Sequence, residues 1–374
     1  MRQKNYTYYC SDTKRMASNR FETSVMNIPG VGRLRRLAKD AVNLFGPRAI
    51  ILLYHRVAEL PADPQLLSVS SKQFAEHLQV LREFGCPLQI KQLVRALQDG
   101  KLPRRAVLVT FDDGYADNLH HAKPLLERYN TPATVFITTG LVGQCRELWW
   151  DELERLLLQP GTLPEKLCLN INGSVREWNL GRASHYPDES FQQHRHWNVE
   201  MKNDPTPRHR LYRSLCLHLR SLSEGDRRDI LDELVAWAGA ESKGRVTHRM
   251  LSPEEVVRLA DGNLVEIGAH TVTHPVLSSI NTDMQRAEIS QSKADLEEVL
   301  GRRVSHFAYP YGTRSDYSKE TVAIVREAGF EATCSNFPGW VRNEANLYEL
   351  PRYLVRDWDG EEFCRRLKEW FVRD

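Results

Sequence analysis

Long apolar runs are missing from this 374-residue sequence: the longest, Ala49 to Tyr54, has six residues. A bilayer-spanning helix needs about 20, so no membrane-spanning segment is expected. The stretch before Gly46 also lacks the apolar core of about 7 or more residues that marks a secretory signal, which makes the cytoplasm the expected location. Paired cysteines are missing too. The seven cysteines are odd in number and scattered, with no Cys-x-x-Cys, which argues against a disulfide framework and a cysteine-built zinc cluster. Neither sign of charge dominates, with 51 Lys and Arg against 49 Asp and Glu. Bulk charge therefore recruits no nucleic acid, and an anionic partner needs a local patch. Repeats and low-complexity tracts are absent. Disorder throughout is excluded by the 41% hydrophobic and 27% charged content, which is globular.

What is present begins with a basic segment over residues 1–46, where Arg33, Arg35, Arg36 and Lys39 face away from Leu34, Leu37, Val42 and Leu44. Such an amphipathic stretch serves either as a peripheral membrane foot or as a solvated surface helix. From Arg48 onward short apolar runs alternate with helical periods. The runs Ala49–Tyr54, Ala106–Phe111, Ala133–Thr139, Leu264–Gly268, Val304–Tyr309, Glu331–Ser335 and Leu350–Val355 each read as a buried parallel strand. Ser252-Pro253-Glu254-Glu255 carries the signature of a helix start, and the period over Asp283–Leu300 stops at Gly301. Alternation of this kind predicts a parallel sheet or barrel. It fails between about 145 and 250, where Trp149-Trp150, Leu153, Leu156 and the region from Leu211 to Trp237 suggest a largely helical insertion on a barrel loop.

Three strand exits carry chemistry. The first, Val109-Thr110-Phe111-Asp112-Asp113-Gly114-Tyr115, sets two carboxylates side by side. Neighbours on a strand point to opposite faces, so one can bind an ion while the other stays free as a base. In the second, Ile267-Gly268-Ala269-His270-Thr271-Val272-Thr273-His274-Pro275, two imidazoles four residues apart can converge on one cation. One Asp with two His leaves positions open for water, as in catalytic divalent sites, whereas structural zinc sites use four protein ligands. In the third, Phe307-Ala308-Tyr309-Pro310-Tyr311-Gly312, proline and glycine bracket a tyrosine whose backbone N–H can serve as an oxyanion donor. Taken singly, these are a capping turn, two surface histidines and a loop. At one rim, where barrel sites gather, they point to a single metal-dependent centre.

In this order TFDDGY, HTVTHP and YPYG resemble the polysaccharide deacetylase superfamily, typified by the nodulation chitooligosaccharide deacetylases of carbohydrate esterase family 4, over about residues 48–144 and 250–357. The resemblance implies an α/β fold, a distorted (β/α)7 TIM-like barrel spanning 47–374 and interrupted by the insertion. It also implies a divalent metal, commonly zinc, and hydrolysis of N-acetyl groups on amino sugars. Residue by residue it implies Asp112 as general base, Asp113, His270 and His274 as metal ligands, and Tyr311 after Pro310 as main-chain oxyanion donor. The physical roles agree: water acidified by a cation gives its proton to Asp112 and attacks the amide carbonyl.

Two departures stand out. Many relatives carry an arginine in the third motif to orient the base, and here that place holds Ala308. Arg352 in Leu350-Pro351-Arg352 is the replacement we expect, its alternative being a plain surface arginine. The late Leu-x-His motif that supplies a general acid is absent from residues 346–357. His55, in Leu53-Tyr54-His55-Arg56, resembles a site-facing histidine of the branch acting on poly-N-acetylglucosamine and other exopolysaccharides. Its imidazole suits protonation of an amine, its alternative being a core histidine bonded to backbone. Tyr115, Trp149 and Trp150 are expected to stack on sugar rings or to pack the insertion. His185, His194, His196 and Trp197 are expected either to cap the cleft or to form a solvated loop. The expected function is metal-dependent N-deacetylation of a bacterial polysaccharide or its precursor. The alternatives are deformylation or other amide hydrolysis on a lipid-linked aminosugar, and a non-catalytic glycan-binding barrel. The expected partner is an N-acetylated carbohydrate, with no nucleic acid.

Overall fold

The computed structural model describes residues 47–372, so the basic segment expected over 1–46 lies outside the described residues. Each expected run contains a strand: β1 (Ala49–Tyr54), β2 (Ala106–Phe111), β3 (Ala133–Ile137), β4 (Val265–Ala269), β5 (His306–Ala308), β6 (Ala332–Cys334) and β7 (Tyr353–Leu354). They pair in parallel in the order β6-β5-β4-β3-β2-β1-β7. A two-residue strand, Cys86–Pro87, pairs with the start of β2. The two edges of the sheet meet through backbone: Cys334 bridges Leu350 in parallel, and the Arg352 N–H donates to the Phe337 carbonyl at 3.0 Å. The sheet thus curls into the distorted barrel expected from the sequence.

Both faces of this sheet are covered, which is why its strands read as predominantly apolar runs. Along β1, Ile50, Leu52 and Tyr54 point outward to helices Ser71–Phe84 and Gly360–Val372, where they meet Phe74, Leu78, Leu81, Phe363 and Leu367. Ala49 and Ile51 point inward to Leu108, Phe136 and Ala308, and helix Ile90–Gln98 covers this inner layer with Ile90, Leu93 and Val94. The helix starts read from sequence hold: Ser252 closes a capping box with Glu255, and Thr282–Leu300 ends at Gly301 with φ 62°.

The insertion has a core of its own, built from Leu148, Trp149, Trp150, Leu153, Leu215 and Leu234 among others. Helices Trp149–Leu157, Pro207–Leu219 and Glu224–Ala238 dominate it, yet it also holds an antiparallel hairpin, Lys166–Ile171 with Ser174–Asn179. The sequence reading missed this hairpin, whose cue was the alternation of Leu167, Leu169 and Ile171 inward with Lys166, Cys168 and Asn170 outward. The insertion's two ends meet at a neck. The Gly143 N–H donates to Leu251 O and the Gly244 N–H to Cys145 O, both at 2.9 Å. Arg245 reaches back across the neck to Glu147 at 2.9 Å and to Glu154.

Inside the barrel the tightest approach is at Gly268, where a Cβ would lie 2.6 Å from Phe136 Cε1 and 3.0 Å from the His306 carbonyl. Phe136 has no exposed surface to retreat into. Gly268→Ala is therefore expected to cost about 1–3 kcal/mol through overpacking, read as a fall in the denaturant midpoint. An unchanged midpoint would show that the inner layer is slack.

Candidate active site

Three strained loops at the C-terminal ends of β2, β4 and β5 build the site. After β2, Asp113 takes φ 75° and Gly114 φ 88°; after β4, Thr271 takes 63° and His274 57°; after β5, Tyr311 takes 57°. Left-handed backbone at a non-glycine residue costs on the order of 1–3 kcal/mol and persists only where the surroundings enforce it. Those surroundings are visible. The Asp112 N–H donates to the Tyr54 carbonyl at 3.1 Å, and the His270 N–H to the Ile137 carbonyl at 3.0 Å. The Glu288 carboxylate accepts from the Val272 N–H, the Thr273 N–H and the Thr273 hydroxyl at 2.8, 2.9 and 2.7 Å.

The loops bring Asp113, His270 and His274 together, with one ligand atom from each lying within 4.8 Å of the others. Asp113 Oδ1 is 3.6 Å from His270 Nε2 and 3.4 Å from His274 Nε2. Ligand distances of about 2.0–2.2 Å around a tetrahedral ion span such separations. His270 Nδ1 lies 2.8 Å from the Ala308 carbonyl. Donation there places the proton on Nδ1 and leaves the Nε2 lone pair facing Asp113, the orientation that metal-binding histidines adopt. All three residues are buried, and among the described residues Asp113 Oδ2 has no hydrogen-bond partner. Burial, then the adjacent Asp112, push the Asp113 carboxyl well above the usual carboxylate range. Burial likewise lowers both imidazoles, keeping them neutral. A cluster that resists carrying its own negative charge, and presents neutral nitrogens, fits a divalent cation. Three protein ligands leave a coordination position for water.

Asp112 has a different environment. Arg352 Nη1 and Nη2 donate to its two oxygens, both at 2.7 Å. The guanidinium is itself held by the Ser335 carbonyl at 2.7 Å and by Thr110 Oγ1 at 3.2 Å. Burial alone would raise the Asp112 carboxyl, but Arg352 and then His270 outweigh it and hold the group below its ordinary value. Asp112 is therefore ionised across the neutral range. His55 lines the same cavity; burial drops its pKa to about 4 despite the raising effect of Asp112, so it is neutral at pH 7.

On the far side of the cation cluster the Tyr311 ring packs edge-on to His274, with centroids 4.7 Å apart. Among the described residues none accepts a hydrogen bond from the Tyr311 backbone N–H. Pro310 is buried within the turn, its carbonyl accepting from the Gly312 N–H at 2.6 Å. Tyr115 corrects an expectation: it has no exposed surface and does not line the cavity. Its hydroxyl donates to Asp151 at 2.6 Å and accepts from Trp150 Nε1 at 3.0 Å. It ties the last position of the DDGY loop to the insertion core and offers no face for sugar stacking. Trp149 and Trp150 do border the cavity.

That cavity measures about 450 Å³, and the insertion supplies much of its wall. The four insertion residues expected to cap the cleft do not line it. Trp197 is buried against His209 and Tyr212, and His194 stacks on Tyr186. The wall is made instead by Val199, Arg213, Cys216, Leu217 and Arg220, with Arg356 from the β7 exit. Sequence reasoning passed over them because they carry no motif; the exposed Leu217 and the arginines on one face of Pro207–Leu219 and its C-terminus were the only cue.

Two outcomes follow from this geometry. Removing one partner of a buried, hydrogen-bonded ion pair typically costs about 3–5 kcal/mol, so Arg352→Met should lose that much stability at pH 7. The folded Asp112 pKa is depressed, so the pair's stabilisation is present above the unfolded value and fades as pH falls through the folded one. The deficit of Arg352→Met in denaturant unfolding should thus shrink in acid, and a deficit constant with pH would contradict the pairing. Secondly, cation binding must displace the proton favoured on Asp113. Calorimetric zinc titrations in buffers of different ionisation enthalpy should show proton release and an affinity that rises with pH, both lost in Asp113→Asn.

The chain is similar to known proteins in sequence and in fold. The family profile described as polysaccharide deacetylase matches residues 99–161 and 235–333, leaving most of the insertion unmatched. The putative polysaccharide deacetylase YxkH of Bacillus subtilis is 33% identical over 108 residues, 28% of this chain and 37% of that protein. The poly-beta-1,6-N-acetyl-D-glucosamine N-deacetylase of Staphylococcus aureus is 37% identical over 78 residues, 21% of this chain and 27% of that protein. The chain thus spans well under half the length of either curated relative. In structure it is similar to the Streptococcus pyogenes deacetylase PplD in complex with acetate, with a TM-score of 0.53 and 18% identity over 86% of this chain and 99% of that one. IcaB from Ammonifex degensii gives a TM-score of 0.52 and 18% identity over 87% and 98%. With the three motifs at one barrel rim and the profile matching on both sides of the insertion, residues 99–161 and 235–333 carry a polysaccharide deacetylase domain.

Proposed function

We propose that this protein is a metal-dependent hydrolase, zinc being the expected ion, that removes N-acetyl groups from N-acetylglucosamine-like residues of a bacterial polysaccharide or its precursor. The observation carrying the reading is the juxtaposition of Asp112, ionised and gripped by Arg352 through two 2.7 Å bonds, with the Asp113–His270–His274 cluster. The printed name of the Staphylococcus aureus relative supports the substrate class.

When bound there, a divalent cation lowers the pKa of water and draws charge from a carbonyl oxygen. The protein's own groups do the rest. Asp112 accepts the proton of the attacking water, its orientation fixed by the guanidinium fork. The Tyr311 N–H donates to the carbonyl oxygen as that atom becomes negative, a position where preorganised donors gain most. Acetate and a free amine are the products, so the nitrogen must receive a proton. His55, neutral beforehand, takes the proton from Asp112 on its free ring nitrogen and passes it to the departing nitrogen; it is a relay and is not an imidazolium at the outset. A cytoplasmic location belongs to the same proposal, and recovery of the protein from periplasm or medium would contradict it.

The test is acetate release from a β-1,6-linked N-acetylglucosamine oligomer, abolished by chelator and restored by zinc; formate release from an N-formyl sugar under the same conditions would favour deformylation instead. Asp112→Asn should lower kcat by about 100- to 10,000-fold, the usual worth of a general base, while still binding zinc. Arg352→Gln should shift the acid limb of the kcat/KM profile upward, because the main influence opposing burial at Asp112 is then gone. An unmoved limb would remove Asp112 from the role of base.

A further inference from the structure

Three arginines line the outer wall of the cavity, and the steps above use none of them: Arg213, Arg220 and Arg356. Their donors differ in availability. Arg213 is consumed by Asp204 and by the Val199 and Met201 carbonyls. Arg356 gives Nη1 to the Leu66 carbonyl at 2.6 Å and Nη2 to Glu200. Arg220 gives only Nη2, to Asp316 at 2.6 Å. Asp316 is in turn fixed by the Thr313 N–H and hydroxyl at 2.9 and 2.6 Å. The Arg220 guanidinium therefore stands in a defined place, 4.3 Å from the centroid of the Tyr311 ring, with 40% of its side chain accessible. Its Nε and Nη1 have no partner among the described residues.

A second cation lies behind it. Arg227 is 1% exposed, and its three guanidinium nitrogens make no hydrogen bond among the described residues. Its nearest acid is Glu224, with Nε and Oε2 3.5 Å apart, and its Cζ sits 5.8 Å from the Trp149 ring. Its charge bears on Tyr311 and His274. A buried guanidinium without hydrogen-bonded compensation is costly, and its positive field is undiminished by water. The acids across the cavity do not cancel it, since Asp112 is taken by Arg352 and Asp113 faces the two histidines. Each of the two guanidinium groups also has an acid of its own, Asp316 on Arg220 at 2.6 Å and Glu224 3.5 Å from Arg227, so what the Tyr311 side of the cavity offers an anion, beside the expected position of the reacting amide, is the two unpartnered donors of Arg220.

We propose that Arg220 is an anion-binding residue of this cavity, so that the substrate is an N-acyl sugar bearing a phosphate or a carboxylate, received by Arg220 Nε and Nη1 within the field of Arg227. This rests on the deacetylase reading and narrows its substrate class from neutral glycans to acidic or phosphorylated ones. A guanidinium pairs with either anion through charge-assisted hydrogen bonds.

The test compares three sugars: N,N′-diacetylchitobiose, the same disaccharide carrying a 1-phosphate, and a glucuronate–N-acetylglucosamine disaccharide. Turnover is measured on the zinc-loaded full chain and binding on the metal-free chain, so that the two readings fail separately. A charge-assisted contact is worth about tenfold or more in affinity. At least one anionic sugar should therefore exceed chitobiose by that factor in kcat/KM and in binding, and which one does identifies the anion. Arg220→Gln should bring the ratio to about one, and Arg220→Lys should restore part of it; a melting curve checks the Asp316 contact. Equal losses on all three sugars would make Arg220 only a brace for the Tyr311 loop and overturn the proposal, as would equal binding of all three to the wild-type chain. If no sugar is turned over while the anionic one binds preferentially, the deacetylase reading fails and the anion site stands.

Discussion

The grip of Arg352 on Asp112 is the contact on which most of this architecture converges. Arg352 sits on the segment that feeds β7, Asp112 at the exit of β2, and the same guanidinium reaches Thr110 in β2 and Ser335 just beyond β6. One buried cation thereby spans the seam at which the curled sheet closes and also sets the charge of Asp112. Two buried charges are tolerable in a dry interior only when each satisfies the other with good geometry, and here both oxygens and all three guanidinium nitrogens are used. The small Ala308 in β5 leaves inner space, and Arg352 reaches Asp112 from the β7 side.

The rim chemistry follows from that placement. With Asp112 held ionised by its partner, the neighbouring Asp113 is left in a buried position next to a fixed negative charge, which drives its carboxyl upward. Adjacent carboxylates in one sequence therefore have opposite tendencies. The left-handed turn at Asp113 separates the two side chains, so that one faces the arginine and the other the two imidazoles.

Much of the fold was legible because parallel strands covered on both faces are predominantly apolar, and so are the seven runs from Ala49 to Val355. The capping box at Ser252 and the stop at Gly301 were legible for equally local reasons. The cation cluster could be read because its three residues fall directly at strand exits. Features set by tertiary partners could not. Tyr115 reads as a rim aromatic, but Asp151 and Trp150, far along the chain, draw its hydroxyl inward. Ordinary solution behaviour suggests that His55 is a ready acid, and only its burial shows that it is neutral. The hairpin at Lys166–Asn179 was overlooked because a single alternating strand is a weak signal beside long helical periods. The arginines of the cavity wall have no fixed spacing from the motifs, and their relation to Tyr311 emerges only when the insertion folds over the rim.

The neck of the insertion has a wider consequence. Because Gly143 and Leu251 are hydrogen-bonded neighbours, as are Cys145 and Gly244, the roughly hundred residues between them leave and rejoin the barrel at almost one point. The entropy of closing a loop grows only slowly with its length. A segment joined in this way can be lengthened, trimmed or exchanged without shifting the register of any barrel strand. The rim that carries Asp112, Asp113, His270 and His274 and the cavity wall that the insertion supplies can accordingly diverge at independent rates, so that the wall can be remodelled while the rim stays unaltered.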